Sequence, residues 1–252
     1  MPSRRREVYH RRNDAAGAGG NAGFTLVTRL TALACVVIVI AVIVTSALPG
    51  ALPQRLVHDI QNEQCRKAPV NARTVALGDS ITRMNSDPSW HFMGTDSWFA
   101  LDSCNGRIAY GYNAGVNGNT TAQMLARYPD DVAALHPTSV IVLGGTNDVL
   151  QHVAPAATIS HLRSIITASH AIGTTVAIGT IPPIDAGRYR AYVDPLNARI
   201  AVLAAATHST LINFHAVVAA GDHYRAGWTT DGIHPSHVAA VAMAAAAAVV
   251  RH

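Results

Sequence analysis

The sequence predicts an α/β body: a single three-layer α/β/α domain around a central, mostly parallel five-stranded sheet, with one transmembrane helix ahead of it. Strand-like runs at Thr74–Leu77, Ile108–Tyr112, Ser139–Leu143, Thr174–Gly179 and Thr210–Asn213 alternate with helix-like runs at Thr121–His136, Ala157–Ile172, Pro195–Thr207 and Pro235–Val250. Such alternation builds a parallel sheet covered by helices on both faces. An unbroken apolar run near the N-terminus predicts the membrane helix.

The first 29 residues form a basic tail. Arg4, Arg5, Arg6, Arg11, Arg12 and Arg29 stand there against Glu7 and Asp14, which accounts for the whole formal charge of +4. The remainder is neutral, so the body offers no electrostatic reason to bind nucleic acid. Leu30–Leu48 is a run of 19 residues broken only by Thr31, Thr45 and Ser46. At about 1.5 Å of rise per residue it matches a hydrocarbon core of about 30 Å. Arginines precede it, so the positive-inside rule leaves the tail cytoplasmic and the body outside. The run reads as an uncleaved signal anchor, with Thr45-Ser46-Ala47 as the cleavage site if it is instead a signal peptide and the body is secreted. Gly23-Phe24-Thr25-Leu26-Val27 has the look of a prepilin leader, but Thr28 stands where that pattern has Glu. Arg11-Arg12 lacks the apolar residues that follow a twin-arginine signal closely.

Residues 49–69, with Pro49, Pro53 and Pro69, form a linker. The body then runs from Val70 to His252. Cys35 falls in the apolar run, leaving Cys65 and Cys104 as the pair in the exported part. An oxidising compartment favours a bridge between them over two separate thiols, with a closed loop worth roughly 3–4 kcal/mol.

Thr74-Val-Ala-Leu-Gly-Asp-Ser-Ile-Thr82 reads as a buried strand running into a tight turn with Ser80 at its tip. In open α/β sheets this is where active sites lie. Asp231-Gly-Ile-His234 offers a carboxylate and an imidazole three residues apart, within one turn of each other. Ser80, His234 and Asp231 are therefore candidates for nucleophile, base and the group that orients the base. Asn113-Ala-Gly115-Val-Asn-Gly-Asn-Thr120 follows a second strand candidate, and Gly144-Gly-Thr-Asn147-Asp148 follows a third.

These four motifs, carrying Ser, Gly, Asn and His in that order, resemble the SGNH or GDSL serine hydrolases over Val70 to the C-terminus. The resemblance implies a flavodoxin-like fold and ester hydrolysis without metal or organic cofactor. It also implies an oxyanion hole built from the Ser80 N–H, the Gly115 N–H and the Asn147 side-chain amide. The implied substrate is a small-molecule, lipid or glycan ester, the expected body is a monomer, and an acyltransferase or a non-catalytic surface module are the other readings. Asp79 reads as a helix cap, and Asp148 as a cap or an orienting partner for Asn147. His237 lacks a third ligand for a metal. Trp90, His91, Phe92, Met93 and Trp98 are core or the wall of an acyl pocket. After Thr82, relatives carry an acidic or small residue and Gly, whereas this chain has Arg83-Met84-Asn85. The loop from Arg83 to Asp96 is thus its own, and a candidate for setting substrate choice.

Overall fold

The computed structural model describes residues 74–86, 94–104, 108 and 110–248. The tail, the apolar run Leu30–Leu48, the linker, Cys65, and Trp90, His91, Phe92 and Met93 lie outside the described residues. Among the described residues, no helix is long and apolar enough to cross a membrane.

Five strands form one sheet: β1 (Thr74–Gly78), β2 (Tyr110–Gly115), β3 (Ser139–Leu143), β4 (Thr175–Gly179) and β5 (Thr210–Ile212). Every pairing in it is parallel, in the order β2-β1-β3-β4-β5. All residues of β1 and β3 are buried, as are the last four of β4. That is why these strands read as continuous apolar runs with no alternation: helices cover both faces. The order reverses direction between β1 and β3, which opens a crevice beyond the carboxyl ends of those strands.

The helices are α1 (Ser80–Arg83), α2 (Trp98–Cys104), α3 (Thr121–Asp131), α4 (Thr146–Leu150), α5 (Pro155–Ala171), α6 (Arg190–Ala206), α7 (Phe214–Val218) and α8 (His237–Ala247). One layer is formed by α2, α7 and α8, and the other by α3, α5 and α6. A two-stranded antiparallel ribbon, β6 (Ala219–Ala220) with β7 (His223–Tyr224), follows α7.

Several element boundaries differ from those expected, β2, α6 and α3 among them. β2 begins and ends later than Ile108–Tyr112, carrying Asn113 and Gly115 inside the strand, with a register shift opposite Thr74 and Val75. α6 starts at Arg190, five residues before Pro195, because Val193 extends the buried stripe of Leu196, Ile200 and Leu203 backwards. The pyrrolidine removes one backbone bond there, and the apolar stripe carries the helix through it. α3 stops at Asp131, giving way to a 3-10 turn at Ala133–Leu135.

The alanines of α8 allow close packing. Ala239, Ala240, Ala244 and Ala247 are buried with Met243, and the helix lies against α2 and α7. Trp98 is fully buried there, its ring 5.7 Å from Phe99 edge-on and 5.0 Å from Phe214. Trp98 is thus core. Cys104, at the end of α2, is disulfide-bonded.

Trp98→Ala is expected to cost about 3–5 kcal/mol, as for other fully buried large aromatics. Urea denaturation followed by circular dichroism measures it, and a loss below about 1 kcal/mol would mean this corner is not close-packed.

Candidate active site

The register brings the expected residues to one end of the sheet. Gly78 of β1 pairs with Gly115 of β2 on one side and Leu143 of β3 on the other, so the three strands end level. Ser80, Val116–Asn119 and Gly144–Asn147 all emerge there. Ser80 opens α1 under a cap formed by Asp79, whose Oδ1 accepts the Ile81 N–H at 2.9 Å.

His234 comes from the loop ahead of α8, 154 residues from Ser80 in the chain, and its Nε2 lies 2.8 Å from Ser80 Oγ. Its Nδ1 lies 2.6 Å from Asp231 Oδ2. Nδ1 donates to the carboxylate, which leaves Nε2 as acceptor for the serine hydroxyl. Burial raises the Asp231 carboxyl, but hydrogen bonds from the His234 ring and from the N–H groups of His234 and Ile233 outweigh it and hold the group at about 2. The carboxylate thus stays ionised beside the ring at any working pH. The loop itself is pinned: Thr229 Oγ1 donates to the His234 carbonyl at 2.8 Å, and the Tyr224 phenol to the Ile233 carbonyl at 2.8 Å.

Asn147 sits in α4, with its Nδ2 3.1 Å from the Asn119 carbonyl and 3.4 Å from Asp79 Oδ2. The amide therefore points toward the turn after β2 and the turn after β1. Asp148, its neighbour, is buried. It accepts from the Thr121 N–H at 2.9 Å, from Thr121 Oγ1 at 2.5 Å and from Thr158 Oγ1 at 3.0 Å, tying α4 to α3 and α5.

A family model described as the GDSL-like Lipase/Acylhydrolase family matches residues 76–239. The chain belongs to this family. Esterase TesA of Pseudomonas aeruginosa is 31% identical over 173 residues, which is 64% of this chain and 79% of the relative. Thioesterase 1/protease 1/lysophospholipase L1 of Escherichia coli is 33% identical over 93 residues, covering 36% of this chain and 41% of that protein. Among solved structures, a crystal structure of TesA is 28% identical with a TM-score of 0.56, covering 69% of this chain and 94% of that one. An acetylxylan esterase from Geobacillus stearothermophilus shares the fold at 21% identity, with a TM-score of 0.61 and coverage of 74% and 97%. The protein is thus a GDSL-type hydrolase, an enzyme acting on esters.

One expected residue of this GDSL hydrolase is placed differently. The Gly115 N–H donates to Asn113 Oδ1 at 3.0 Å, and a Cβ on Gly115 would lie 2.4 Å from the Arg83 backbone nitrogen. Gly115 is a glycine because α1 packs against it, and its amide is already engaged. Gly118 is the exposed glycine of this segment. It lies in the turn Val116–Asn119, closed by the Asn119 N–H on the Val116 carbonyl at 3.2 Å, at φ +75° with nothing within 4 Å of where a Cβ would stand. Its N–H has no acceptor among the described residues, and its neighbour Asn117 lines the same cleft as Ser80. The Asn117-Gly118 dipeptide was a readable turn signal, since that pair favours positive φ.

Arg127 carried no signal in the sequence. From α3 its guanidinium donates to the Asn119 side-chain oxygen at 2.8 Å and to the Gly78 carbonyl at 2.8 Å, with Asp131 as its ion-pair partner. It thereby ties the turn after β2 to the end of β1. A cleft of about 280 Å³ lies over the site, lined by Ser80, Met84, Asn85, Asp96, Asn117 and His234. Among the described residues, no group of three or more His, Cys, Asp or Glu is placed to hold a metal ion.

Burial pushes the Asp79 carboxyl up to about 7, opposed by the Ile81 N–H and by nearby His234. A folded pKa above the unfolded value of 3.8 favours the fold most below pH 3.8, and that contribution is lost as pH rises to about 7. Asp79→Asn keeps the capping oxygen and removes the titration. Its stability relative to the parent is expected to grow from pH 4 to 7 and then level off, measured by chemical denaturation across pH. A difference that does not vary with pH would refute the burial argument.

Proposed function

We propose that the chain hydrolyses carboxylic esters through an acyl-enzyme on Ser80, with His234 as general base and acid and Asp231 as the group orienting the imidazole. The observation that carries this reading is the unbroken relay from Ser80 Oγ to His234 Nε2 and from His234 Nδ1 to Asp231 Oδ2, at 2.8 and 2.6 Å. As Ser80 Oγ bonds to the ester carbonyl carbon, its proton passes to His234 Nε2. The carbonyl oxygen gains the negative charge. When the tetrahedral adduct collapses, the C–O bond to the alcohol breaks and His234 returns the proton to that oxygen. Water then attacks the acyl-enzyme with His234 again as base, releasing the acid and restoring the Ser80 hydroxyl.

The oxyanion is held by the Ser80 N–H, the Asn147 amide and, in place of Gly115, the Gly118 N–H. The three donors are uncharged and held by β1, α4 and the Val116–Asn119 turn, and Asn147 has only its long 3.4 Å contact with Asp79 to exchange for the oxyanion, so little reorganisation accompanies the developing charge. The body works outside a membrane, tethered by Leu30–Leu48, with Cys65 and Cys104 bridged. The sequence supports this through its uneven charge and its apolar run, and the disulfide at Cys104 accords with an oxidising compartment.

Ser80→Ala is expected to abolish hydrolysis of a short p-nitrophenyl ester while thermal unfolding shifts little. Turnover at the parent rate in that variant would defeat the mechanism. Asn147→Ala is expected to lower kcat by about 10²–10³, the usual effect of removing one oxyanion donor. Steady-state kinetics with an unchanged kcat would clear Asn147 of that role.

A further inference from the structure

A second histidine–carboxylate pair faces the same cleft, and the mechanism above does not use it. His237, three residues after His234 and the first residue of α8, places Nδ1 2.9 Å from Asp96 Oδ1. Asp96 is a lining residue of the cleft beside Ser80 and His234. Its other oxygen accepts from Asn85 Nδ2 at 3.1 Å and from Thr95 Oγ1 at 3.2 Å. Asn85 Oδ1 in turn accepts the N–H groups of Thr95 and Asp96 at 2.8 and 3.0 Å. One asparagine thus fixes both the backbone and the side chain of the segment that presents the carboxylate.

Each carboxylate oxygen has two acceptor positions. The braces leave acceptor capacity on Asp96 while fixing its direction, and about a third of its side chain is exposed. A ligand that fills the cleft takes water from that carboxylate. An alkyl chain laid against it would offer no replacement, which is costly for a charged group. A hydroxyl beside the reacting ester would replace the water with a charge-assisted O–H···O⁻ bond. Asn85 and Asn117 place two further hydrogen-bonding side chains in the lining, beside that of Met84. At about 280 Å³ the cleft is also at the lower end of ligand-pocket sizes of roughly 300–1,000 Å³. It suits a short acyl group with a polar alcohol better than a long chain.

We propose that Asp96, braced by His237 and Asn85, is an alcohol-side subsite that accepts hydrogen bonds from hydroxyls neighbouring the scissile ester, so that the enzyme selects short-acyl esters of sugars and related polyols. This rests on ester hydrolysis at Ser80. It places substrate choice on residues outside the Ser80–His234–Asp231 relay.

The test compares the full chain on two acetates with equal acyl groups: a mono-O-acetyl methyl glucoside and cyclohexyl acetate, with p-nitrophenyl acetate reporting the Ser80 chemistry alone. The parent is expected to show the higher kcat/KM on the sugar acetate. Asp96→Ala is expected to reduce the sugar-over-cyclohexyl ratio at least about tenfold, the effect of losing a hydrogen bond to a charged group. Asp96→Asn, which keeps the shape and one acceptor oxygen, is expected to lose less, and it guards against a variant that fails to fold. A parent preference for cyclohexyl acetate, or a ratio unmoved by both variants while p-nitrophenyl acetate is still cleaved, overturns the subsite alone. A parent inactive on all three esters overturns the ester-hydrolase reading and the subsite with it.

Discussion

The parallel register of β1 between β2 and β3 is the constraint on which the site depends. Because Gly78, Gly115 and Leu143 lie side by side, the turns that follow them open at one level. A shift of one residue in either pairing would move a whole turn by about 3.3 Å along the strand and reverse which face each side chain meets. The register is secured by burial on both faces, so the core that stabilises the domain also sets the distance between Ser80 and the donors around it. His234 is the exception. It arrives on a long loop, and Thr229, Tyr224 and the backbone bond from Asp185 N–H to the Gly232 carbonyl hold that loop in place of a strand.

Between the strand ends, the turns are tied together by polar side chains. Arg127 joins the Gly78 carbonyl to Asn119, and the Asn119 carbonyl accepts from Asn147. Asp148 holds α4 from the opposite side by capping the start of α3. Asn113, fully buried, donates to the Thr82 carbonyl and to the hydroxyls of Ser86 and Ser97, so it welds β2 to the segment after Ser80. These are ring-like connections, with each turn fixed to at least one neighbour. Removing Asn113 or Asp148 leaves a buried donor unsatisfied, the Gly115 N–H or the Thr121 N–H, which costs more than the bond itself contributes. The stiffness of these turns is therefore a property of the polar mesh under them.

What was legible in the sequence was what depends on a few consecutive residues. β1, β3 and β4 are continuous apolar runs because they are buried on both sides, and the turns with Ser80, Asn147 and His234 carry unusual residues at their tips. Less legible was anything settled by packing. Val193 draws α6 through Pro195, and the start of β2 is set by its pairing with β1. The short helices α1, α4 and α7 fall below the length at which local propensity sustains a helix, so only tertiary contacts make them. Gly115 and Gly118 show the same limit. Both are glycines in one motif, but one answers a close approach by Arg83 and the other a positive φ, and only the fold tells them apart. Arg127 gave no local signal, since its partners lie 49 and 8 residues away.

The segment after Ser80, where the sequence departs from the pattern it otherwise resembles, is also where Asn85 and Asp96 join the lining of the cleft. Met84, at φ 44°, ends α1 and turns the chain so that Asn85 faces Thr95 and Asp96. An L residue in that left-handed region is strained, and the strain persists because the bonds made by Asn85 over-determine the turn. A glycine there would adopt the same turn without that strain. The same few residues therefore shape the wall and position the carboxylate within it. On the proposed reading, substrate choice is separable from chemistry: the place of Ser80 and Asn147 follows from the sheet and that of His234 and Asp231 from their braced loop, while the alcohol side is set by the segment after Ser80 and the first turn of α8.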